Sequence, residues 1–245
     1  MHLEGLQSVG SAIQARKRKI EVLLLKSGMN LKRIAGLLEQ AESQNIPIKY
    51  VEPTELSQIT HGRTHGGVVA LCSRKPLERF QDLREILRAR SGYPLLLLLE
   101  GVEDGQHLGY VLRSAEALGA HAVLLKKHLW NFDETTLSRA SSGAFERVPV
   151  IKFSEADEVR HFVKYDIELW GCIAGVKKDM YSVNMKKPLA LAVGGEKRGL
   201  SGKVRERCDG FMKIPMVEGS SSSLSLTHAA CLLLGEAARQ RRIVK

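Results

Sequence analysis

The segment from Ile214 to Arg241 has the sequence IPMVEGSSSSLSLTHAACLLLGEAARQR. An apolar strand ends at Pro215, a loop with four consecutive serines follows, and a long helix with an apolar face begins at about Leu224. Ser223 or Ser225 could simply cap this helix, because a serine hydroxyl accepts a hydrogen bond from the first helical amides. The loop could equally present backbone groups to a ligand.

Short apolar runs alternate with helical stretches in the region that precedes this segment. Such runs are typical of a parallel sheet that is buried on both faces, so we predict an α/β fold for a C-terminal domain at 93–245. The predicted strands are Leu95–Leu99, Ala122–Leu125, Val148–Phe153, Leu169–Ala174, Leu189–Val193 and Phe211–Ile214.

The first 75 residues predict a second, smaller α/β domain. Residues 76–92 are charged and contain Pro76, so we predict a linker with a helical piece at Leu83–Ala89. The predicted elements of the small domain are helices at Leu6–Arg16, at Leu31–Glu42 and from Pro53, and strands at Ile20–Leu25, Ile46–Val51 and Gly67–Cys72.

The composition favours a polyanionic partner. The chain has 245 residues and a formal net charge of +10, and cations near phosphates release counterions on binding, although a basic surface can also be merely soluble. The four cysteines form no CxxC pair, so we expect free thiols of a reduced compartment and no metal. The longest apolar run, Pro94–Leu99, is too short for a membrane span, and the N-terminus lacks a signal-peptide pattern. We therefore expect a cytoplasmic protein with an RNA partner and no membrane.

Two further loops follow predicted strands and carry chemically capable residues. LEGVEDGQHLGYVLRSAEALGA (99–120) places Glu100, Asp104 and His107 at the carboxyl end of a strand, where open α/β sheets bind ligands. Arg113 lies in the helix that follows, where an ordinary surface arginine is equally consistent. LAVGGEKRGLS (191–201) has glycines that permit a close backbone approach, although a tight turn has the same pattern.

In order, the three loops resemble the three signature motifs of the SpoU (TrmH-like) family of RNA 2′-O-ribose methyltransferases, in the SPOUT superfamily. The family patterns are roughly D-G-V-x-D-P-x-N-x-G-x-x-x-R-T-A, G-x-E-x-x-G-L and I-P-M-x-G-x-x-x-S-L-N-x-S. Each motif alone is weakly specific, whereas their order, spacing and strand context together are specific. GLQSV near the N-terminus and HGGVVA at 65–70 resemble the L30e-like RNA-binding domain of many members.

The resemblance implies a C-terminal sheet threaded into a deep trefoil knot that holds S-adenosylmethionine. It also implies a homodimer that forms through the C-terminal domain. The implied cofactor-binding residues are Ala174, Gly194, Gly195, Glu196, Gly199, Ile214, Met216, Ser223 and Leu224. The implied catalytic residues are Arg113, Glu196, His107, Ser223 and Ser225.

Two departures from the family pattern concern motif asparagines, which are replaced by His107 and Ser225. A third, Ser114 in place of a threonine, keeps the hydroxyl. Arg113 matches the catalytic arginine, and because a guanidinium stays protonated we expect it to bind phosphate and stabilise charge. His107 could act as a general base, since imidazole titrates near neutral pH. Alternatively, His107 only fills the space of the asparagine, or its bulk changes the substrate pose.

The expected function is S-adenosylmethionine-dependent 2′-O-ribose methylation of RNA, with ribosomal RNA favoured by the L30e-like domain. The alternatives are a member that binds cofactor and RNA with lost or altered catalysis, and a tRNA methyltransferase. We also expect the basic stretch 16–19 to touch RNA, His65 to be a loop histidine, and His228 to lie in the core or at an interface.

Overall fold

A computed structural model describes residues 1–60, 65–102, 104–126, 131–154, 156–219 and 223–242. Its strands are β1 His2–Glu4, β2 Ile20–Lys26, β3 Ile48–Val51, β4 Val68–Cys72, β5 Leu95–Leu99, β6 Ala122–Lys126, β7 Val150–Phe153, β8 Glu168–Cys172, β9 Leu189–Val193 and β10 Gly210–Met212. Its α-helices are α1 Leu6–Ala15, α2 Ala35–Ser43, α3 Pro53–Ile59, α4 Leu83–Arg88, α5 Gly105–Ala117, α6 Glu134–Ala140, α7 Ala144–Arg147, α8 Gly202–Arg205 and α9 Leu226–Arg242. 3-10 helices lie at Leu31–Ile34, Phe80–Asp82, Ala156–Tyr165 and Met180–Ser182.

The chain divides into two compact units. The first contains Met1–Pro76 together with Phe132–Arg147, and the second contains Leu77–Asn131 and Val148–Lys245. The sequence did not indicate that the segment 132–147 groups with the N-terminal residues. The boundaries at 75 and 93 stay predictions.

The first unit contains a four-stranded mixed sheet in the order β1-β4-β2-β3. β1 was not predicted; it pairs antiparallel with β4, with Leu3 opposite Ala70. Both residues are buried in the core of this unit, together with the apolar faces of α1 and α2. A three-residue strand shows too little alternation to be found from sequence, and its pairing with a distant strand defines it.

Arg18 holds the segment 132–147 to the rest of the first unit. Its side chain is fully buried, and its guanidinium donates to both carboxylate oxygens of Glu146 at 2.8 and 3.0 Å and lies 3.2 Å from the carboxylate of Glu134. A buried arginine with carboxylate partners is a structural group, so Arg18 is not available to RNA, whereas the expected contact of the rest of the stretch 16–19 with RNA stays a prediction.

The second unit contains a six-stranded, entirely parallel sheet in the order β10-β8-β9-β5-β6-β7. The predicted α/β class, with this sheet and a small N-terminal domain, is confirmed. Every residue of β5 and β9 is buried, which is the reason that continuous apolar runs predicted these two strands to the residue. The trefoil knot stays a prediction.

Residues 77–92 pack on this sheet. Phe80 and Leu83 are buried in the same apolar cluster as Leu96, Leu98 and Ile151. The helical piece is present as α4, but the segment is an integral part of the second unit. Among the described residues, no helix combines the length and the hydropathy that a membrane span requires.

Candidate functional site

A cavity of about 450 Å³ lies at the carboxyl ends of β8, β9 and β10, which are neighbours in the sheet. We call it the cofactor cavity. All nine residues that the family resemblance implied for the cofactor line it: Ala174, Gly194, Gly195, Glu196, Gly199, Ile214, Met216, Ser223 and Leu224. The other lining residues are Cys172, Ile173, Val193, Arg198, Leu200, Arg205, Lys213, Leu226 and Ala229. Three segments far apart in sequence therefore meet at one edge of the sheet.

The loop after β9 needs glycine at two consecutive positions. A Cβ on Gly194 would lie 2.1 Å from the carbonyl carbon of Gly199, and a Cβ on Gly195 would lie 2.9 Å from the Cα of Gly101. The loop also folds back on itself, because the amide of Gly199 donates to the carbonyl of Gly195 at 2.8 Å. Gly199 has φ +60°, and a Cβ there would meet open space. The two glycines thus serve close packing of the backbone.

A second cavity of about 630 Å³ lies on the other side of this loop, at the carboxyl ends of β5, β6 and β9. Glu100, at the end of β5, is 5% exposed. Its carboxylate accepts hydrogen bonds from Lys126 Nζ at 2.8 Å, from the Ser201 amide at 2.8 Å and from Ser201 Oγ at 2.9 Å. The second cavity is lined by Glu100, Gly101, Val102, Lys126, Gly195, Glu196, Lys197, Arg198, Gly199 and Ser201.

α5 begins beside the second cavity and carries two of the implied catalytic residues. Asp104 caps the helix by accepting from the His107 amide at 2.8 Å, and its other oxygen lies 2.7 Å from His107 Nδ1. The backbone and ring hydrogen bonds from His107 hold the pKa of the Asp104 carboxyl below its usual range. A carboxylate on Nδ1 orients the ring and leaves Nε2 to contact other groups.

Arg113 is exposed two turns further along α5. It lies six residues after His107, which places the two side chains about 120° apart around the helix axis and about 9 Å apart along it. Neither residue is among the described residues that line the cofactor cavity. Arg113 and His107 therefore lie on the same helix, but their side chains are not close enough to act on the same atom.

Ser225 caps α9. Its Oγ accepts from the His228 amide at 3.3 Å and lies 2.7 Å from His228 Nδ1, and its carbonyl accepts from the Ala229 amide at 2.9 Å. Of the two caps proposed from sequence, Ser225 is the one observed, whereas Ser223 is exposed at the cofactor cavity. His228 is exposed in the chain, which excludes the core, and its expected place at an interface stays a prediction.

Several lining residues were missed from the sequence. Lys126 directly follows a predicted strand, and the argument that singled out Glu100 after the strand β5 would have found it too. Ser201 precedes a helical stretch and caps α8 by accepting from the Val204 amide. Cys172 lines the cofactor cavity, and burial raises the pKa of its thiol, which keeps it neutral there. Among the described residues, no group of three or more potential ligands is placed to hold a metal ion.

The cofactor cavity suits an organic cofactor that combines a flat apolar ring with a charged tail. Its volume lies within the range of small-molecule sites. Val193, Leu200 and Leu226 provide apolar contacts, and the cavity wall also carries charges of both signs. The charged side chains are Glu196, Arg198, Arg205 and Lys213. These features fit the adenosine and amino-acid parts of S-adenosylmethionine.

Two family models match the chain. A model described as "SpoU rRNA Methylase family" matches residues 94–235, and one described as "RNA 2′-O ribose methyltransferase substrate binding" matches residues 2–77. A relative from Xylella fastidiosa, named 23S rRNA (guanosine-2′-O-)-methyltransferase RlmB, is 34% identical over 241 residues, which are 98% of this chain and 96% of the relative. A relative of the same name from Photorhabdus laumondii is 36% identical over 97% of each chain.

Solved structures agree with this result. The SpoU methyltransferase AviRb from Streptomyces viridochromogenes is 26% identical, with a TM-score of 0.81 over 99% of this chain and 90% of that one. The same protein in complex with AdoMet has a TM-score of 0.80. The ordered motifs, the parallel sheet, the cavity that unites the motif residues and the two family models lead to one conclusion: the chain belongs to the SpoU family of rRNA methylases.

Proposed function

We propose that the protein methylates the 2′-hydroxyl of a ribose in ribosomal RNA, with S-adenosylmethionine as the methyl donor. The observation that carries this proposal is the convergence of all nine implied cofactor residues on one cavity in a chain of the SpoU family. The RlmB relatives, whose names specify 23S rRNA and guanosine, support ribosomal RNA as the substrate and the cytoplasm as the place of action.

The cofactor cavity would hold S-adenosylmethionine, which supplies an activated methyl group when bound. Gly195, Ile214 and Leu224 line the cavity and would contact the cofactor. The exposed carboxylate of Glu196 would attract the positive charge of the cofactor, and Arg205 and Lys213 would attract its carboxylate.

The residues of α5 would bind the substrate nucleotide and accept the proton of its ribose hydroxyl. A ribose hydroxyl is a weak nucleophile until its proton is removed or its developing charge is stabilised. We assign proton acceptance to Nε2 of His107, because Asp104 orients the ring through Nδ1. Arg113 would bind a flanking phosphate and stabilise charge. Their separation on α5 agrees with contacts to different atoms of one nucleotide.

A second candidate is a binding protein that keeps cofactor and RNA affinity without methyl transfer. It is favoured by the two motif asparagines replaced by His107 and Ser225, both of which engage in hydrogen bonds within their own helices. His107 and Ser225 therefore have hydrogen-bond partners within the protein, whereas a family asparagine would offer its amide to the substrate. Activity measurements separate the two candidates.

The decisive experiment uses purified protein, labelled S-adenosylmethionine, and ribosomal RNA and transfer RNA from cells that lack the gene. We expect methyl incorporation into ribosomal RNA at one 2′-oxygen, located by mapping of 2′-O-methyl sites. Incorporation into transfer RNA alone would support the tRNA alternative. Binding of cofactor and RNA without incorporation, together with activity gained by a His107→Asn, Ser225→Asn double variant, would establish the binding protein.

We also propose a homodimer that forms through the C-terminal domain. On α9, Ala229, Leu233 and Ala237 are buried against the chain's own core, whereas Leu232 is 42% exposed. The exposed leucine, on a helix that borders the cofactor cavity, is suited to contact a partner subunit. Light scattering should give the mass of a dimer at micromolar concentration and that of a monomer for Leu232→Glu. A monomeric wild-type protein would contradict the proposal.

The N-terminal domain would bind RNA by charge. Its match to a substrate-binding model, and the net charge of +10 of the whole chain, support this role. His65 is buried, and its Nδ1 accepts from the Gly67 amide, which suits the structural role expected for a loop histidine. A Lys26→Glu variant at the cavity beside His65 should weaken RNA binding and lower its salt dependence. Unchanged RNA affinity in this variant would assign that face of the domain another role.

A further inference from the structure

We propose that the second cavity binds the base of the nucleotide to be methylated, and that Lys126 makes this site selective for guanine. The inference rests on the proposed function, because it concerns the base attached to the reacting ribose. It assigns a role to a cavity and to a partly buried ion pair that the cofactor and the α5 residues do not use.

The position of the second cavity suits the substrate base. It shares a wall with the cofactor cavity, formed by Gly195, Glu196, Arg198 and Gly199. A nucleotide whose base lies in one cavity therefore has its sugar beside the loop that borders the other. The volume of about 630 Å³ lies within the range of small-molecule sites and admits a purine ring.

Three polar residues of the second cavity, Glu100, Lys126 and Ser201, are joined by hydrogen bonds. Glu100 is almost fully buried, and its carboxylate already accepts three hydrogen bonds, from Lys126 and Ser201. It therefore serves to position the ammonium of Lys126, whose side chain is 23% exposed and lines the cavity. An ammonium has three N–H donors, and among the described residues Glu100 takes one of them, which leaves donors for a ligand.

A fixed ammonium donor discriminates between the two purines. Guanine presents two adjacent acceptors, O6 and N7, whereas adenine presents an amino donor in place of O6. Lys126 would therefore donate to guanine and meet the amino group of adenine unfavourably. Guanosine is also the nucleoside that the names of both RlmB relatives specify. Exposed Arg198 at the shared wall is placed to meet a neighbouring phosphate.

The test measures binding of GMP, IMP and AMP at up to millimolar concentration to the full-length protein saturated with S-adenosylmethionine. Inosine keeps O6 and N7, so GMP and IMP should bind alike and AMP about 10-fold or more weakly. Lys126→Met should weaken GMP binding by about 10- to 100-fold and abolish the preference over AMP. Lys186→Met, an exposed lysine away from both cavities, serves as the matched control and should bind like the wild type.

A second variant controls for the loss of stability that Lys126→Met is expected to cause. Lys126→Met leaves the buried carboxylate of Glu100 without its cation, which destabilises a protein. The double variant Glu100→Gln, Lys126→Met removes that charge as well, and it should keep the wild-type affinity for S-adenosylmethionine while losing the selectivity for guanine. Equal binding of GMP and AMP to the wild type, undetectable binding of every mononucleotide, or selectivity retained in the double variant would overturn the inference.

Methylation of ribosomal RNA by the same proteins separates this inference from the proposed function. If wild type and double variant methylate the RNA equally well, the function stands and the assignment of Lys126 fails. If the wild type methylates no RNA but binds GMP in a manner that depends on Lys126, the guanine site stands and the proposed function fails.

Discussion

Replacement of Gly194 by alanine tests whether the close backbone packing beside the cofactor cavity is required. The added Cβ would lie 2.1 Å from the carbonyl carbon of Gly199, 2.3 Å from the amide nitrogen of Leu200 and 2.5 Å from the carbonyl oxygen of Gly199. Real Cβ atoms essentially never approach other atoms within 3.0 Å, so the loop must move by about 1 Å. The atoms in the way are backbone atoms, which cannot rotate aside as a side chain can.

Two quantities should change together in Gly194→Ala. Overpacking of this kind costs about 1–3 kcal/mol of stability, which corresponds to a Tm about 3 to 10 °C lower for a chain of this length. Because Gly199 and Leu200 line the cofactor cavity, the same displacement should weaken S-adenosylmethionine binding at least 10-fold. Calorimetric unfolding gives the first quantity and titration calorimetry gives the second.

Gly235→Ala is the matched control, because a Cβ at Gly235 within α9 meets no atom within 4 Å. Alanine inside a helix should there raise stability by about 0.5–1 kcal/mol and leave cofactor affinity unchanged. If Gly194→Ala unfolds at the wild-type temperature and binds S-adenosylmethionine normally, the loop is more compliant than the contact distances imply and the reasoning fails.

Three further outcomes are expected. Arg113→Ala should lower kcat about 100-fold or more with unchanged cofactor affinity. A lower cofactor affinity would instead indicate that Arg113 contacts the cofactor. His107→Asn should lower kcat because it removes the proposed proton acceptor, whereas a wild-type kcat in this variant would exclude the base role. Burial lowers the pKa of His121 to about 4, below its unfolded value near 6.5, so stability is fully present above pH 6.5 and is lost as pH falls toward 4. Urea unfolding should show about 2 kcal/mol less stability at pH 5 than at pH 7, and His121→Asn should lose most of that difference.

Nine of the residues that line the cofactor cavity could be named from the sequence by the family resemblance, and all of these except Ala174 belong to short motifs with fixed spacing. Gly194, Glu196 and Gly199 are recognisable in the printed sequence, and so is the strand that precedes them. The partners that complete the site could not be named in the same way. The contact between Glu100 and Ser201 joins residues 101 positions apart, and no local pattern encodes it.

The two departures from the family pattern show the same limit. The sequence shows that His107 and Ser225 replace asparagines, but not what they contact. The structure shows His107 on the carboxylate of Asp104 and Ser225 on the ring of His228. Both contacts follow from helical spacing of three residues, yet their relation to a substrate depends on how α5 and α9 are placed at the sheet.

By itself the sequence determined the α/β class, the strands β5 and β9 and the family, because burial on both faces and motif chemistry act over a few consecutive residues. Only the tertiary structure decided that Phe132–Arg147 groups with the N-terminal unit, that Arg18 is buried there, and that Lys126 meets Glu100 in a second cavity. These features depend on which distant segments pack together. The free energy of such packing depends on both of the surfaces that come into contact, so it cannot be inferred from the residue order of one segment.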